Sequence, residues 1–581
     1  MHHCHLNLSR RSFLGRGLKA STLAALSSLV DIPFVMKRAL AASGIGLNGK
    51  KVLFIWMRGA NDALNSVIPI LDPAYSTSRP NIGVSMDGDA PSNYTPLGTC
   101  FDATQFSTLA GTPRVSADAT YSYDSGIPLG NGFAALHPSL KWLAPLYNSG
   151  QLALIHRVAY PRQSRSHFDS QRYWENGTPN NNLVNDGIFY RTILESGLAN
   201  TAPLTGVSIQ SSLPLILRGS EAAMTNLNDP TRYRLLSIPS PANDTKALNA
   251  IVGANPFPFP PKLNRELLSL QYGNLEQTLS LFSQIDFDED PDPGAGTLGN
   301  YYQDDIKTDG DTAWRPINDA GNLYPGTDAN KGYFLFPTIN NKNGGWRRSA
   351  TQTVGNKYAV DTGHQAFFTN LKAAALVLNK TDAIIAGTEL GGFDTHRGQG
   401  GATGNNGNPN SHPQLNKAIG WSMYALRKFF TLYADRCTWD NLIVVTLSEF
   451  GRTSVENADS GTDHAEAGVM FMAGGGVKGY QDGLRSGVFN CSDTEFASGN
   501  PLGGWSTSTS TISPMFGVAN GYLKRNTDYR SVLGELIRKH LGASPTQLNN
   551  IIPGYAVPTE RLLAGGTAPD GTSIRGEVGY L

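Results

Sequence analysis

Between Thr446 and His464 the chain reads T-L-S-E-F-G-R-T-S-V-E-N-A-D-S-G-T-D-H, directly after the apolar run Leu442 to Val445. Glu449 and His464 combine a hard oxygen with an imidazole. A second such pair, Asp394 and His396 in G-G-F-D-T-H, follows another apolar run. These ligand types suit a divalent cation, with Zn, Mn and Ca as the candidates. Asp394 and His396 are two apart, so on an extended segment both point one way and Thr395 the other. Glu449 follows a buried strand, where a carboxylate is costly unless paired. A cation would pair it, and so would Arg452, three residues on.

Ser166 has two readings. As the first residue of S-x-x-D before a helix it fits an N-cap, its hydroxyl satisfying helix amides. As a nucleophile it would stand where free N–H groups and the helix dipole favour a phosphate or sulfate ester, with Arg58, Arg165 and His167 to neutralise the anion. Ser164 is the neighbouring alternative. The glycines at 474–476 lack the G-K-[ST] ending of a phosphate loop, and no G-x-G-x-x-G, H-E-x-x-H, G-x-S-x-G or paired C-x-x-C occurs. Asp286, Asp288, Asp290 and Asp292 alternate as in a calcium loop. Pro291 stands where an EF-hand needs Gly and no closing Glu follows, so this reads as a solvated acidic loop.

These residues must be positioned by something. Lys51 to Met57 is an apolar run of strand length, as in a parallel sheet covered on both faces, and Asp62 lies just past its carboxyl end. His137-Pro138 opens a helix, Gly150 stops it, and Leu152 to Val158 reads as a strand. Further helices are expected at Asp169 to Trp174, Ile188 to Leu194, Asn264 to Phe282, Gln365 to Leu378, Pro413 to Ala434 and Tyr529 to Leu541. Further strands are expected at Ala383 to Leu390, Leu442 to Leu447 and Val469 to Ala473. Alternating strands and helices predict an α/β fold, a central mostly parallel sheet with helices on both faces. Sites in such sheets lie beyond the carboxyl ends of strands, where Asp62, Asp394 and Glu449 all fall. Residues 42–581 read as one domain with an irregular insertion at about 284–346.

The first residues differ. Ser9-Arg10-Arg11-Ser12-Phe13-Leu14 precedes a moderately apolar segment, and Ala39-Leu40-Ala41-Ala42 matches a cleavage site. Residues 1–41 therefore read as a twin-arginine export signal, handled by the twin-arginine machinery and leaving no transmembrane segment in the mature chain. Its loss removes six cations and Asp31, taking the formal balance from 0 to −5. A mildly acidic exported chain is a poor partner for nucleic acid. Its place would be the periplasm, the cell surface or the medium. Three cysteines remain, Cys100, Cys437 and Cys491, too few for a disulfide framework or a zinc ribbon.

Taken together, R-G-A-N-D-A-L-N-S-V-I-P from Arg58, H-P-S-L-K-W-L from His137, S-R-S-H-F from Ser164, G-G-F-D-T-H from Gly391, S-E-F-G-R-T from Ser448 and G-T-D-H from Gly461 resemble the exported bacterial family labelled domain of unknown function 1501. That family is grouped with the alkaline phosphatase and sulfatase superfamily. The resemblance implies an alkaline phosphatase/sulfatase-like fold, with Ser166 near the nucleophile and Asp62, Asp394, His396, Glu449 and His464 near metal ligands. The order departs from the superfamily in three ways: Asp394 and His396 are two apart instead of four, Phe450 stands where a metal-binding histidine follows the aspartate, and the segment around Ser166 has no matching C-x-P-S-R. The implied activity is metal-dependent hydrolysis of phosphate or sulfate esters, on small molecules or polymers. A non-catalytic envelope or secreted binding protein on the same fold is the alternative, with the loops at 398–410 and 284–346 as its working surfaces.

Overall fold

The structure is a computed structural model and describes residues 44–46, 48–69, 72–85, 126–129, 134–198, 204–222, 224–229, 278, 280–282, 284–287, 335–338, 360–402, 408–481, 484–491, 521–523, 525–567 and 573–581. The segment 1–41, expected to be an export leader, and Cys100 lie outside these residues. So does most of the helix expected at 264–282 and of the insertion at 284–346.

Fourteen strands are described. Nine form one sheet: β1 (Lys51–Met57), β5 (Leu152–Ala159), β6 (Gly206–Ile209), β7 (Thr225–Leu227), β8 (Ile385–Leu390), β9 (Leu442–Leu447), β10 (Gly468–Gly474), β11 (Val488–Phe489) and β12 (Thr527–Asp528). β2 (Val67–Ile68), β3 (Ile127–Pro128) and β4 (Ala135–Leu136) make a small second sheet, and β13 (Gly566–Thr567) pairs with β14 (Ser573–Ile574). The large sheet has the order β11-β5-β10-β9-β1-β8-β6-β7, with β12 also beside β5. β1 lies parallel between β8 and β9, with Phe54 opposite Gly387 on one side and Val445 on the other. β10 alone is antiparallel to its neighbours, β9 and β5. Because it runs backwards, the loop that enters β10 lies at the same edge as the carboxyl ends of β1, β5, β8 and β9.

Every residue of β1 is buried, which explains its unbroken apolar run. Alternate side chains serve two cores. Leu53, Ile55 and Met57 face the cluster that contains Phe368, Leu376, Ile419 and Leu426. Those residues come from two helices, Gln365–Lys380 and His412–Leu432. Val52, Phe54 and Trp56 face the cluster with Trp174, Phe189, Val532 and Ile537. The mostly parallel, doubly covered sheet expected from the sequence is thus present, with strands β1 and β9 at their expected bounds.

We label the helices used below α1 (Ala63–Ser66), α2 (Pro73–Ser78), α3 (His167–Asn176), α4 (Ile188–Glu195), α5 (Gln365–Lys380), α6 (His412–Leu432) and α7 (Tyr529–Glu535). No described helix is long and apolar enough to cross a membrane.

Candidate metal centre

Four loops meet at the carboxyl edge of the sheet. The turn after β8 carries Asp394 and His396. The segment between β9 and β10 carries Glu449, Arg452 and His464. The loop from β5 ends at His167, the first residue of α3, and the turn after β1 carries Gly59 and Asp62. Ser166 caps α3, accepting from the Asp169 amide at 3.4 Å, and Gly177 ends the helix in the left-handed conformation.

At the centre, Nε2 of His464 lies 3.1 Å from Nε2 of His167, 2.9 Å from Nε2 of His396 and 3.1 Å from Oδ1 of Asp394. Asp394 Oδ1 is also 3.4 Å from His167 Nε2 and 3.1 Å from His396 Nε2. His167, Asp394 and His464 form the compact ligand triplet among the described residues, and His396 stands against its His464–Asp394 edge.

The other nitrogen of each ring explains why these atoms face one another. His167 Nδ1 donates to Glu449 Oε1 at 2.8 Å, His396 Nδ1 to Asp463 Oδ1 at 2.9 Å, and His464 Nδ1 to the Arg165 carbonyl at 2.8 Å. All three partners only accept, so each Nδ1 carries a proton and each ring directs Nε2 inward. Lone pairs 2.9 to 3.1 Å apart repel. A proton on His167 Nε2 bridges one of these contacts in the metal-free chain, and a cation in its place would be shared by all of them. Imidazoles anchored through Nδ1 by carboxylate or carbonyl are the usual support of metal-binding histidines. The donor set therefore fits a divalent cation, and its nitrogen content favours zinc over calcium.

Glu449 sits behind this centre. Its side chain is fully buried and accepts from the Gly59 amide at 2.9 Å, Gln171 Nε2 at 3.0 Å and His167 Nδ1 at 2.8 Å. Burial opposes ionisation, but the bonds from His167, Gln171 and Gly59 win and keep the carboxyl below its ordinary range. The sequence reading made Glu449 a direct ligand; the structure gives its oxygens to these donors, so it orients His167. Trp56 Nε1 points at the second oxygen from 3.4 Å. Gly59 is required at its position. Its φ is +110°, and a Cβ there would stand 2.4 Å from the Asp394 amide nitrogen.

Arg452 does not pair with Glu449, the alternative the sequence left open. Its buried guanidinium donates to the carbonyls of Gly59, Ala60, Phe393 and Thr462 and lies 2.5 Å from Asp394 Oδ1. It thereby ties three of the four loops together. Burial would raise the Asp394 pKa, but His167, His464 and Arg452 together depress it strongly. Phe450 packs beside both His167 and His464, its ring centroid 4.8 Å from one and 4.7 Å from the other.

Asp62 does not join the centre. It is buried against Arg79, at 2.6 and 3.1 Å, caps α1 through the Leu64 amide and accepts from Gln399 at 2.6 Å. Its carboxylate is saturated by these donors. Arg58 is also turned away: it bonds Glu175 at 2.8 Å and Glu389 at 2.9 Å and lies over the Trp56 ring. Thr395, as its position between Asp394 and His396 predicts, points elsewhere, to Gln399. Arg165 contributes its carbonyl rather than its charge, which is directed to the Tyr522 hydroxyl. His167, named in the sequence as an anion-neutralising group, is instead one of the triplet.

Residues 347–483 match a known family model. Its description is "Protein of unknown function (DUF1501)". The matched stretch contains Asp394, His396, Glu449, Arg452 and His464 but not His167, which heads α3 after the earlier strand β5. No curated protein and no solved structure matches the chain.

The charge around His167 sets a pH dependence. Its pKa is raised to about 9, chiefly by Asp394 and then by Glu449. A group raised in the folded state stabilises below its unfolded pKa of about 6.5, and that contribution is lost as pH rises through about 9. The metal-free protein should therefore weaken over this window. Metal binding runs the other way, because the ion must displace the His167 Nε2 proton. Zinc affinity is expected to rise about tenfold per pH unit up to about pH 9 and then level off. Competition titrations with a chelator at several pH values measure this; a flat profile from pH 7 to 9 would remove His167 from the ligand set.

Proposed function

We propose that the chain is an exported metal-dependent hydrolase of phosphate or sulfate esters, with an alkaline phosphatase/sulfatase-like arrangement of its site. One observation carries the reading: three histidines, each fixed through Nδ1, direct Nε2 toward Asp394 at the carboxyl edge of a doubly covered sheet. A cation held there supplies Lewis-acid polarisation of the ester oxygen and a more acidic water. His167 and His464 would hold and orient it, and Asp394 would offset its charge while Arg452 holds that carboxylate in place. Glu449, by accepting the Nδ1 proton, makes His167 the stronger donor. Ser166 acts here as the helix cap, and Ser164 accepts from the Ser166 amide at 3.2 Å. The S-R-R-S-F leader and the acidic balance of the remainder support export.

The test is turnover of p-nitrophenyl phosphate, bis(p-nitrophenyl) phosphate and p-nitrophenyl sulfate by zinc- or manganese-loaded protein. Activity is expected to vanish with EDTA, return with metal, and fall by at least a hundredfold in Asp394→Asn, the order expected for loss of a group that acts at the centre. Turnover equal to that of Asp394→Asn for all three esters would overturn the proposal.

A further inference from the structure

Beside the centre is a second feature that the ester-hydrolase reading does not use. A cleft of about 470 Å³ lies along α3, within the range of small-ligand sites. Gln171 belongs to both places: it lines the cleft and donates to Glu449, the residue behind His167. His167 and Gln171 are one helical turn apart, about 6 Å along the axis, so the cleft and the centre are neighbours along α3.

The lining has an unusual mixture. Phe168 is 88% exposed, so a bare aromatic face stands at the rim. Glu175 and Glu389 are held apart by Arg58, which bonds one oxygen of each. Glu389 remains partly exposed, and its other oxygen has no protein partner among the described residues. Arg218 is exposed, and its guanidinium makes no bond or ion pair among the described residues. Fixed carboxylates that accept, guanidinium and amide groups that donate, and one aromatic wall match a ligand with hydroxyl edges and an apolar face. A sugar ring has that combination. An apolar ligand would leave the carboxylates unpaired, at a cost. The unpaired Arg218 and the cation site favour an anionic substituent on that sugar.

We propose that this cleft is the subsite for the sugar ring of an anionic glycan, sulfated or phosphorylated, whose ester group is presented to the centre. The role of the ester rests on the hydrolase reading; the sugar subsite does not.

The experiment applies the full-length protein, both zinc-loaded and EDTA-treated, to an array of sulfated, phosphorylated and neutral oligosaccharides. Metal content is measured in parallel. The wild type is expected to retain anionic glycans, and Phe168→Ala and Arg218→Ala are each expected to weaken that retention at least tenfold with metal content unchanged. Retention that depends on Phe168 and Arg218 in a protein without metal or turnover supports the subsite and refutes the hydrolase reading. The proposal is overturned if no glycan is retained above the level of the Phe168→Ala/Arg218→Ala double variant, or if neutral and anionic glycans are retained alike. Equal retention of peptides on a companion array overturns it too, as it would mark the cleft as a general polar surface.

Discussion

A His464→Ala protein is expected to purify without bound metal, while the wild type carries about one ion per chain. His464 is the hub of the centre: its Nε2 faces His167, His396 and Asp394, and its removal opens every one of those contacts. The loss should be on the order of a hundredfold or more in affinity, since even supporting residues cost about ten- to a hundredfold. Glu449→Gln tests that smaller range, because the amide keeps the shape but not the charge that holds the His167 proton. Asp62→Asn is the control. Its carboxylate belongs to Arg79 and Gln399, so the variant should keep its metal and lose only stability. Elemental analysis of the four proteins decides the matter. Wild-type metal content in His464→Ala, or metal loss in Asp62→Asn, would show that the ion is held elsewhere.

Arg452→Ala is expected to destabilise even the metal-free chain by about 3–5 kcal/mol, the range for removing one partner of a buried charge network. The guanidinium satisfies four carbonyls from three loops and one carboxylate oxygen. Water cannot easily replace it at a residue 1% exposed. Arg452→Lys should recover little, because one ammonium cannot reach acceptors spread across a planar fork. Urea unfolding in EDTA measures both variants. A midpoint within error of the wild type for Arg452→Ala would mean that the loops hold themselves and that Arg452 serves only the metal-bound state.

Much of this arrangement was legible in the sequence because the sheet is buried on both faces. Val52 to Met57 and Leu442 to Val445 are apolar without interruption, and such runs mark the strands closely. The placement of Asp62, Asp394 and Glu449 just past strand ends followed from the same rule. The partners of the carboxylates were not legible. Asp62 and Glu449 both follow apolar strands, yet one is saturated by Arg79, seventeen residues on, and the other by His167, 282 residues earlier. Side-chain type and local spacing do not encode which distant donor arrives first. His167 carried one readable signal, its place at the head of a helix after a buried strand. The serine beside it drew the chemistry to itself, although Ser166 has an ordinary use for its hydroxyl as a helix cap.

Phe450 shows how a departure from an expected pattern acquires a role. It cannot bind an ion, but its ring packs against both imidazoles, which also meet each other edge to face. The sequence comparison marked this position as a lost ligand. In the fold it is the packing that fixes two ligands.

The topology of the centre also constrains the order in which the chain can assemble. His167 and His464 are separated by 297 residues, and even Asp394 and His464 by 70. Contacts this remote close late, after β1 has been flanked by both β8 and β9, because the loops between them must first be brought together. The one local pair is Asp394 with His396, and the other donors join it only across the sheet. Uptake of an ion is therefore expected to report that the whole sheet is in register.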